Sequence, residues 1–254
     1  MINSVVIGNG IVGQATRKTF GIKDYFDLKG STLSLKQIAE RKKYIFYCLP
    51  TPTIKGKQDR EALIQIIKQI SEYGGGHIHI IRSTVLPGTN NYIKEKLGIK
   101  NIVSNPEFLT EATWEQDSLH PDIVVLGADQ PNYAKDVEAL YRSRFKGGQI
   151  FTTDSITAEL IKYAVNTFYS TKVIFANQLY DIAKTCGGNY EKIKEVMYAR
   201  KWIGENHLDV HHAGYRGYAG KCLPKDMSAL AEMSGNRLLK LIQKINTEYN
   251  GHKE

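Results

Sequence analysis

The sequence predicts an α/β protein in two parts: a doubly wound, mostly parallel sheet, then an all-helical domain built on one long helix. Three observations carry this. Short β-branched runs alternate with helical patterns from the start of the chain to about Thr153, the rhythm of βα units that lay strands side by side in parallel. The first run, Val5-Val6-Ile7, leads directly into Gly8-Asn9-Gly10-Ile11-Val12-Gly13, a strand-to-helix turn with the Gly-x-Gly-x-x-Gly spacing. From residue 154 to about 185 no Pro or Gly interrupts a helical pattern.

In chain order, strands are expected over 2–7, 44–48, 77–82, 101–103, 122–126 and 149–153, with a weaker one at Tyr25-Phe26-Asp27-Leu28. Leu63, Ile66, Ile67 and Ile70 recur at helical spacing and would cover one face of the sheet. On the long helix, Ile161, Val165, Phe168, Ala176, Leu179 and Ala183 fall at spacings of three and four or their sums. It ends at Gly187-Gly188. A helix over Tyr190 to Tyr198 follows, then an irregular stretch, then a final helix with Leu238, Ile242, Ile245 and Tyr249 on one stripe. The change of pattern places the boundary near residue 153, giving domains 1–153 and 154–254.

At 254 residues the chain can bury a substantial core. Its net charge of +8 comes from lysines and arginines spread along the chain, without the basic run interleaved with aromatics that single-stranded nucleic acid requires. Phosphorylated small ligands are the better match, and no nucleic-acid partner is expected. No apolar run approaches the roughly 20 residues that span a bilayer, and no signal pattern opens the chain. A soluble, cytoplasmic protein without a membrane partner is therefore expected. Cys48, Cys186 and Cys222 are odd in number and scattered, which reads as reduced thiols. Cys48 lies in an apolar strand and should fill core. His211-His212 lacks a third ligand at a recognisable spacing, so no metal is expected.

The glycine turn is the signature of a Rossmann-type dinucleotide site. Gly8 permits the tight turn, Gly10 admits a pyrophosphate to the backbone, and Gly13 lets helix and strand pack closely. The phosphates would meet the N-terminus of the helix that begins at Ile11 and Val12. Asp27, at the end of the weak strand, stands where an acid binds the ribose hydroxyls, a choice that favours NAD over NADP. At the other end of the chain, Gly217-Tyr218-Ala219-Gly220-Lys221-Cys222-Leu223-Pro224-Lys225-Asp226 sets a cysteine among small residues and lysines. Cationic neighbours favour the thiolate, which is the nucleophile. Lys162 and Asn166, four apart on the long helix, share a face and could steady an oxyanion. Spacing alone favours a solvated lysine beside a surface asparagine. Thr84, Glu107 and Glu111 lie just past strand C-terminal ends, the edge where open α/β sheets bind ligands.

These residues, with Leu49-Pro50-Thr51-Pro52-Thr53, Ser83-Thr84 and Pro106-Glu107-Phe108-Leu109, occur in the order of a known family. The chain resembles the UDP-glucose/GDP-mannose dehydrogenases, which oxidise a nucleotide sugar's primary alcohol to a carboxylate with NAD. The resemblance implies that Cys222 captures the aldehyde as a thiohemiacetal, and that a second hydride transfer gives a thioester which water cleaves. It implies oxyanion stabilisation by Lys162 and Asn166. Water positioning and proton relay fall to Thr84 and Asp226, and Glu107 becomes the base of hydrolysis. Thr51, Thr84, Glu111 and Lys225 would face the cofactor, while Phe108, Leu109, Gly217 and Gly220 would face the nucleotide sugar. A homo-oligomer, a dimer in the family, is also implied, with the stripe from Leu238 to Tyr249 as part of its helix.

The sequence departs from the family at Thr110 and Ile123, where arginines are usual, and at Ala219, where a glycine is usual. An alanine would be strained there if the position required positive φ. The family's second Rossmann-like domain has no counterpart in these residues. Two other readings are compatible with the sequence. One is a β-hydroxyacid-type dehydrogenase that uses Lys162 and Asn166 without the cysteine; the other is a non-catalytic NAD-binding scaffold.

Overall fold

The computed structural model describes residues 3–145, 147–204, 206–211 and 214–251. Its elements run β1 (Ser4–Ile7), α1 (Ile11–Phe20), β2 (Tyr25–Phe26), α2 (Leu35–Arg41), β3 (Tyr44–Tyr47), β4 (Thr53–Ile54), β5 (Lys57–Gln58), α3 (Glu61–Tyr73), β6 (Ile78–Ile81) and α4 (Thr89–Leu97). Then follow β7 (Ile102–Ser104), α5 (Trp114–Leu119), β8 (Ile123–Gly127), α6 (Pro131–Arg144), β9 (Gln149–Thr153), α7 (Ser155–Thr185), α8 (Tyr190–Ala199), α9 (Leu223–Ser234) and α10 (Arg237–Gly251). The chain forms two compact units, one of Met1–Pro52 with Gln58–Lys162 and one of Thr53–Lys57 with Tyr163–Glu254. This division falls within α7.

The first unit is built on a seven-stranded sheet in the order β2-β1-β3-β6-β7-β8-β9. All its pairings are parallel except β7 with β8. Side-chain alternation along the strands makes two cores. Val5 and Ile7 of β1, Ile45 and Tyr47 of β3 and Ile81 of β6 pack with Leu63, Ile67 and Ile70 of α3 on one face. Val6, Phe46 and Ile80 pack on the other with Phe20 of α1 and Tyr141 of α6. The chain leaves β1 toward β2 on one side and later places β3 on the other. Between β1 and β3 lies the switch point, where ligands bind such sheets at the strand C-terminal ends.

In the second unit, Val173 and Ile174 of α7 pack with Tyr218, Met227 of α9 and Ile242 of α10. Ala176, Ala183, Tyr190, Leu208 and Val210 form a second cluster. Several local expectations change here. The unit also carries residues of the β4–β5 hairpin, which packs on α9: a Cβ on Gly56 would lie 2.9 Å from the Cβ of Glu232. Leu223–Ser234 is a helix rather than part of an irregular stretch. The stripe on α10 does not form a free face, because Ile242, Ile245 and Tyr249 pack into the unit's own core and only Leu238, 59% exposed, stays open. On α7, Phe168 is 61% exposed and so does not share the buried side of Ala176 and Ala183.

Candidate functional site

In the first unit, the turn after β1 leaves no room for side chains where the sequence has glycine. Gly8 has φ +91°, and a Cβ there would lie 2.5 Å from the Cys48 carbonyl oxygen; one on Gly13 would lie 1.9 Å from the Gly8 oxygen. A Cβ on Gly10 would meet nothing within 4 Å, so this backbone borders open space. α1 begins there without a side-chain cap or an acidic residue in its first turn, leaving the N–H groups at Ile11 and Val12 directed at that space. Asp27 follows β2 and joins the turn: its Oδ2 accepts from Asn9 N at 2.7 Å and its Oδ1 from Lys29 N at 3.0 Å. These backbone donors, Asn9 first, hold its carboxyl below the usual range. Each oxygen keeps a further lone pair for a hydroxyl donor. A bare helix N-terminus, a glycine facing open space and an ionised acid at the end of β2 together fit a dinucleotide.

A second group in this unit lies past the ends of β6 and β7. The Ser83-Thr84 loop is held at its backbone, where the Thr84 carbonyl accepts from Thr51 Oγ1 at 2.6 Å and Gln58 Nε2 at 3.0 Å. After β7, Asn105 is fixed by Arg82, by Tyr141 and by the Val125 carbonyl, and the chain then delivers Glu107. Lys162 and Glu107 are both buried and lie 3.1 Å apart. Glu107 Oε2 accepts from Leu109 N at 2.7 Å, and the Lys162 ammonium sits 5.4 Å from the Phe108 ring centre. Burial with a carboxylate partner replaces the solvated lysine that spacing allowed. Thr84 and Lys162 also line one small pocket, together with Glu159. Glu111 is exposed beyond the loop. Sequence reasoning passed over Glu159, although its position three residues before Lys162 puts both on one side of a helix.

In the second unit, Cys222 is exposed and is the N-cap of α9. The helix dipole there favours an anion. One turn on, Asp226 is 1% exposed; its Oδ2 accepts from Asn166 Nδ2 at 2.6 Å, and its Oδ1 pairs with Lys225. Asn166 is thus buried and held, not a surface residue. Lys225, read from sequence as a cofactor-side cation and thiolate activator, shares its charge with Asp226. Gly217 has φ +80°, and a Cβ on it would lie 2.5 Å from Asn246 Oδ1. Asn246 grips the neighbouring Tyr218 through both its backbone N–H and its carbonyl. Gly220 also has positive φ, while Ala219 does not, so the alanine carries no backbone strain. Cys48 is buried, and burial pushes its thiol up to about 11. Among the described residues no group of three metal-ligating side chains occurs, and His212 lies outside them. Among the described residues no helix is long and apolar enough to cross a membrane.

Two sequence profiles match the chain: the NAD binding domain of the UDP-glucose/GDP-mannose dehydrogenase family over residues 26–145, and that family's central domain over residues 156–248. The UDP-glucose 6-dehydrogenase of Rickettsia felis is 34% identical over 216 residues, covering 80% of this chain and 47% of that protein. The UDP-glucose 6-dehydrogenase YwqF of Bacillus subtilis is 34% identical over 220 residues, covering 80% and 48%. The chain thus spans about half the length of these relatives. A UDP-glucose dehydrogenase structure from Pyrobaculum islandicum superposes with a TM-score of 0.81 at 23% identity, covering 99% of this chain and 68% of that one. A 3-hydroxyisobutyrate dehydrogenase from Mycobacterium tuberculosis superposes with a TM-score of 0.76 at 13% identity, covering 100% and 95%. Both superpositions speak to the fold.

Proposed function

The chain belongs to the UDP-glucose/GDP-mannose dehydrogenase family, and from that premise we propose that it oxidises the C6 alcohol of a UDP-glucose-like nucleotide sugar to a carboxylate. The observation that carries this reading is the position of Cys222, exposed at the N-cap of α9 one turn before the buried Asp226. When bound, NAD supplies the acceptor for one hydride in each of two oxidations. The residues of the chain do the rest. Cys222 Sγ adds to the aldehyde carbon, and after the second oxidation it leaves as thiolate when water attacks the thioester.

Asn166 uses one amide hydrogen on Asp226 and has a second free to donate to the oxyanion. The Lys162 ammonium serves the same charge. Its pairing with Glu107 holds the carboxylate in place as base for the attacking water. Thr84 and Asp226 position that water. Phe108, Leu109, Gly217 and Gly220 face the substrate, with Thr51, Glu111 and Lys225 toward the cofactor. The division into an NAD-binding part, 1–153, and a helical part, 154–254, belongs to this reading.

The test is NADH formed per sugar consumed, across UDP-, GDP- and N-acetylated sugar nucleotides. Two equivalents with one substrate are expected, and Cys222→Ser should abolish the acid product. One equivalent with free aldehyde would overturn the covalent route, as would acid formation that survives Cys222→Ala.

We also propose a homodimer. Phe168, Phe175 and Ile182 recur every seven residues on α7 and are 61%, 56% and 58% exposed, an apolar seam of the kind that pairs with a second copy. Sedimentation of a monomer at assay concentration would remove this idea.

A further inference from the structure

Glu159 is 2% exposed and takes no part in the roles above. Its Oε2 accepts from Gly88 N at 2.6 Å; its Oε1 accepts from Asn90 N at 2.9 Å and from Ser104 Oγ at 3.3 Å. The two amides belong to the N-terminal turn of α4, whose N-cap is a glycine without a side chain to offer. The donors that every helix leaves open at its start are here satisfied by a carboxylate from α7. Gly88 also closes the segment that carries Thr84, whose own carbonyl is held by Thr51 and Gln58. Glu159 is therefore the far anchor of the Thr84 loop. Thr84, Ser104, Glu159 and Lys162 line one small pocket, with roughly the room of one water.

The charge of Glu159 rests on a balance. Burial pushes its carboxyl up to about 7, against the pull of the N–H donors from Asn90 and Gly88. On α7 it shares the pocket with the Lys162 cation, which is shared in turn with Glu107. From the side of α4 the nearby cation is Arg60, whose Nη1 donates to Thr89 Oγ1 at 2.7 Å. β7 contributes the neutral Ser104, and the β6 loop the neutral Thr84. An ionised carboxylate makes the stronger hydrogen bonds to backbone N–H and is favoured at a helix N-terminus, but here the cost of burying the charge outweighs them. A protonated one turns an acceptor site into a donor.

We propose that Glu159 is a positioning residue: protonated, it stays buried and clamps the first turn of α4, so holding the Thr84 loop against Lys162, and ionised, it draws water to its charge and loosens that turn. The proposal rests on the roles assigned above to Thr84 and Lys162, but its test needs no turnover. The readout is the amide hydrogen-exchange protection of Gly88 to Tyr92, followed by NMR from about pH 5.5 to about pH 8.5 and corrected for intrinsic exchange. Protection should fall roughly tenfold as pH rises through a midpoint near neutrality, because the buried carboxyl then ionises and its charge seeks water. Glu159→Gln, neutral at every pH, should give a flat profile at the high level. Lys162→Met should move the midpoint upward, because the lost cation no longer favours the ionised carboxylate. A flat wild-type profile overturns the proposal, and an unchanged midpoint in Lys162→Met overturns the link to the lysine. Should Glu159→Gln not fold, the wild-type titration decides alone.

Discussion

Acid should unfold this protein through His79, and the size of the effect can be worked out from its surroundings. The imidazole lies on β6 and is 1% exposed. Its Nδ1 is 2.7 Å from Tyr47 Oη and its Nε2 is 3.4 Å from Ser71 Oγ, which donates in turn to the Ile67 carbonyl. This chain of bonds suits a neutral ring, with the Tyr47 hydroxyl donating to Nδ1 and Nε2–H donating to Ser71. Burial keeps Tyr47 protonated and lowers His79 from 6.5 to about 3, with His77 adding to the effect. A histidine depressed in the folded state contributes stability above its unfolded pKa and loses it as pH falls toward the folded one. At 1.36 kcal/mol per pH unit, the loss is about 2 kcal/mol at pH 5 and about 3 kcal/mol at pH 4. That is a large share of the roughly 5–15 kcal/mol that holds a domain together. Glu159 acts in the opposite direction, since its raised carboxyl stabilises the fold at low pH and that stability is lost as pH rises through about 7. The difference between wild type and the double variant Tyr47→Phe, His79→Leu, which removes ring and hydroxyl together, isolates the histidine. Urea unfolding at pH 7.5 and pH 5, read by circular dichroism, should show the wild type losing about 2 kcal/mol more than the variant. An equal loss in both would refute the reasoning.

Lys162→Met should destabilise the first unit by about 3–5 kcal/mol in urea unfolding, because it leaves the Glu107 carboxylate buried without its cation; adding Glu107→Gln should restore much of the loss. Gly13→Ala places a Cβ 1.9 Å from the Gly8 oxygen, so the turn must open, at a cost of about 2 kcal/mol or more. NAD titration followed by calorimetry should find binding weakened at least tenfold. Gly217→Ala combines positive φ with a Cβ 2.5 Å from Asn246 Oδ1; a fall in melting temperature larger than that of Gly220→Ala, which has the same φ but open space, is expected. Phe175→Lys should shift sedimentation toward monomer if α7 pairs with a second copy, and leave the far-ultraviolet spectrum unchanged.

Much of the first unit could be read directly from the sequence, because its signals are local. Strands that are buried on both faces are continuous apolar runs, and the glycine turn with Asp27 has a spacing set by one strand, one helix and the next strand. Leu63, Ile67 and Ile70 declare their buried side through helical period alone. The sequence by itself also singled out Cys222, Asp226, Lys162 and Asn166 as candidates for the chemistry, through their types and order. What it could not supply was the partner of each. Whether Lys162 was solvated or buried depended on Glu107, which lies 55 positions away in sequence (162 − 107), and whether Asn166 was a surface amide depended on Asp226, 60 positions away. α9 escaped notice because Leu223-Pro224 opens it with the residue that usually marks an interruption, although proline is well suited to a first turn. The α10 stripe was visible as a stripe, but periodicity shows only that a face is apolar, not what covers it. Glu159 is the clearest case: a glutamate on a helix looks like a solvated charge until the fold brings the open N–H groups of α4 against it. Periodicity and turn chemistry are properties of neighbouring residues, whereas burial and pairing of charge arise only when distant segments meet.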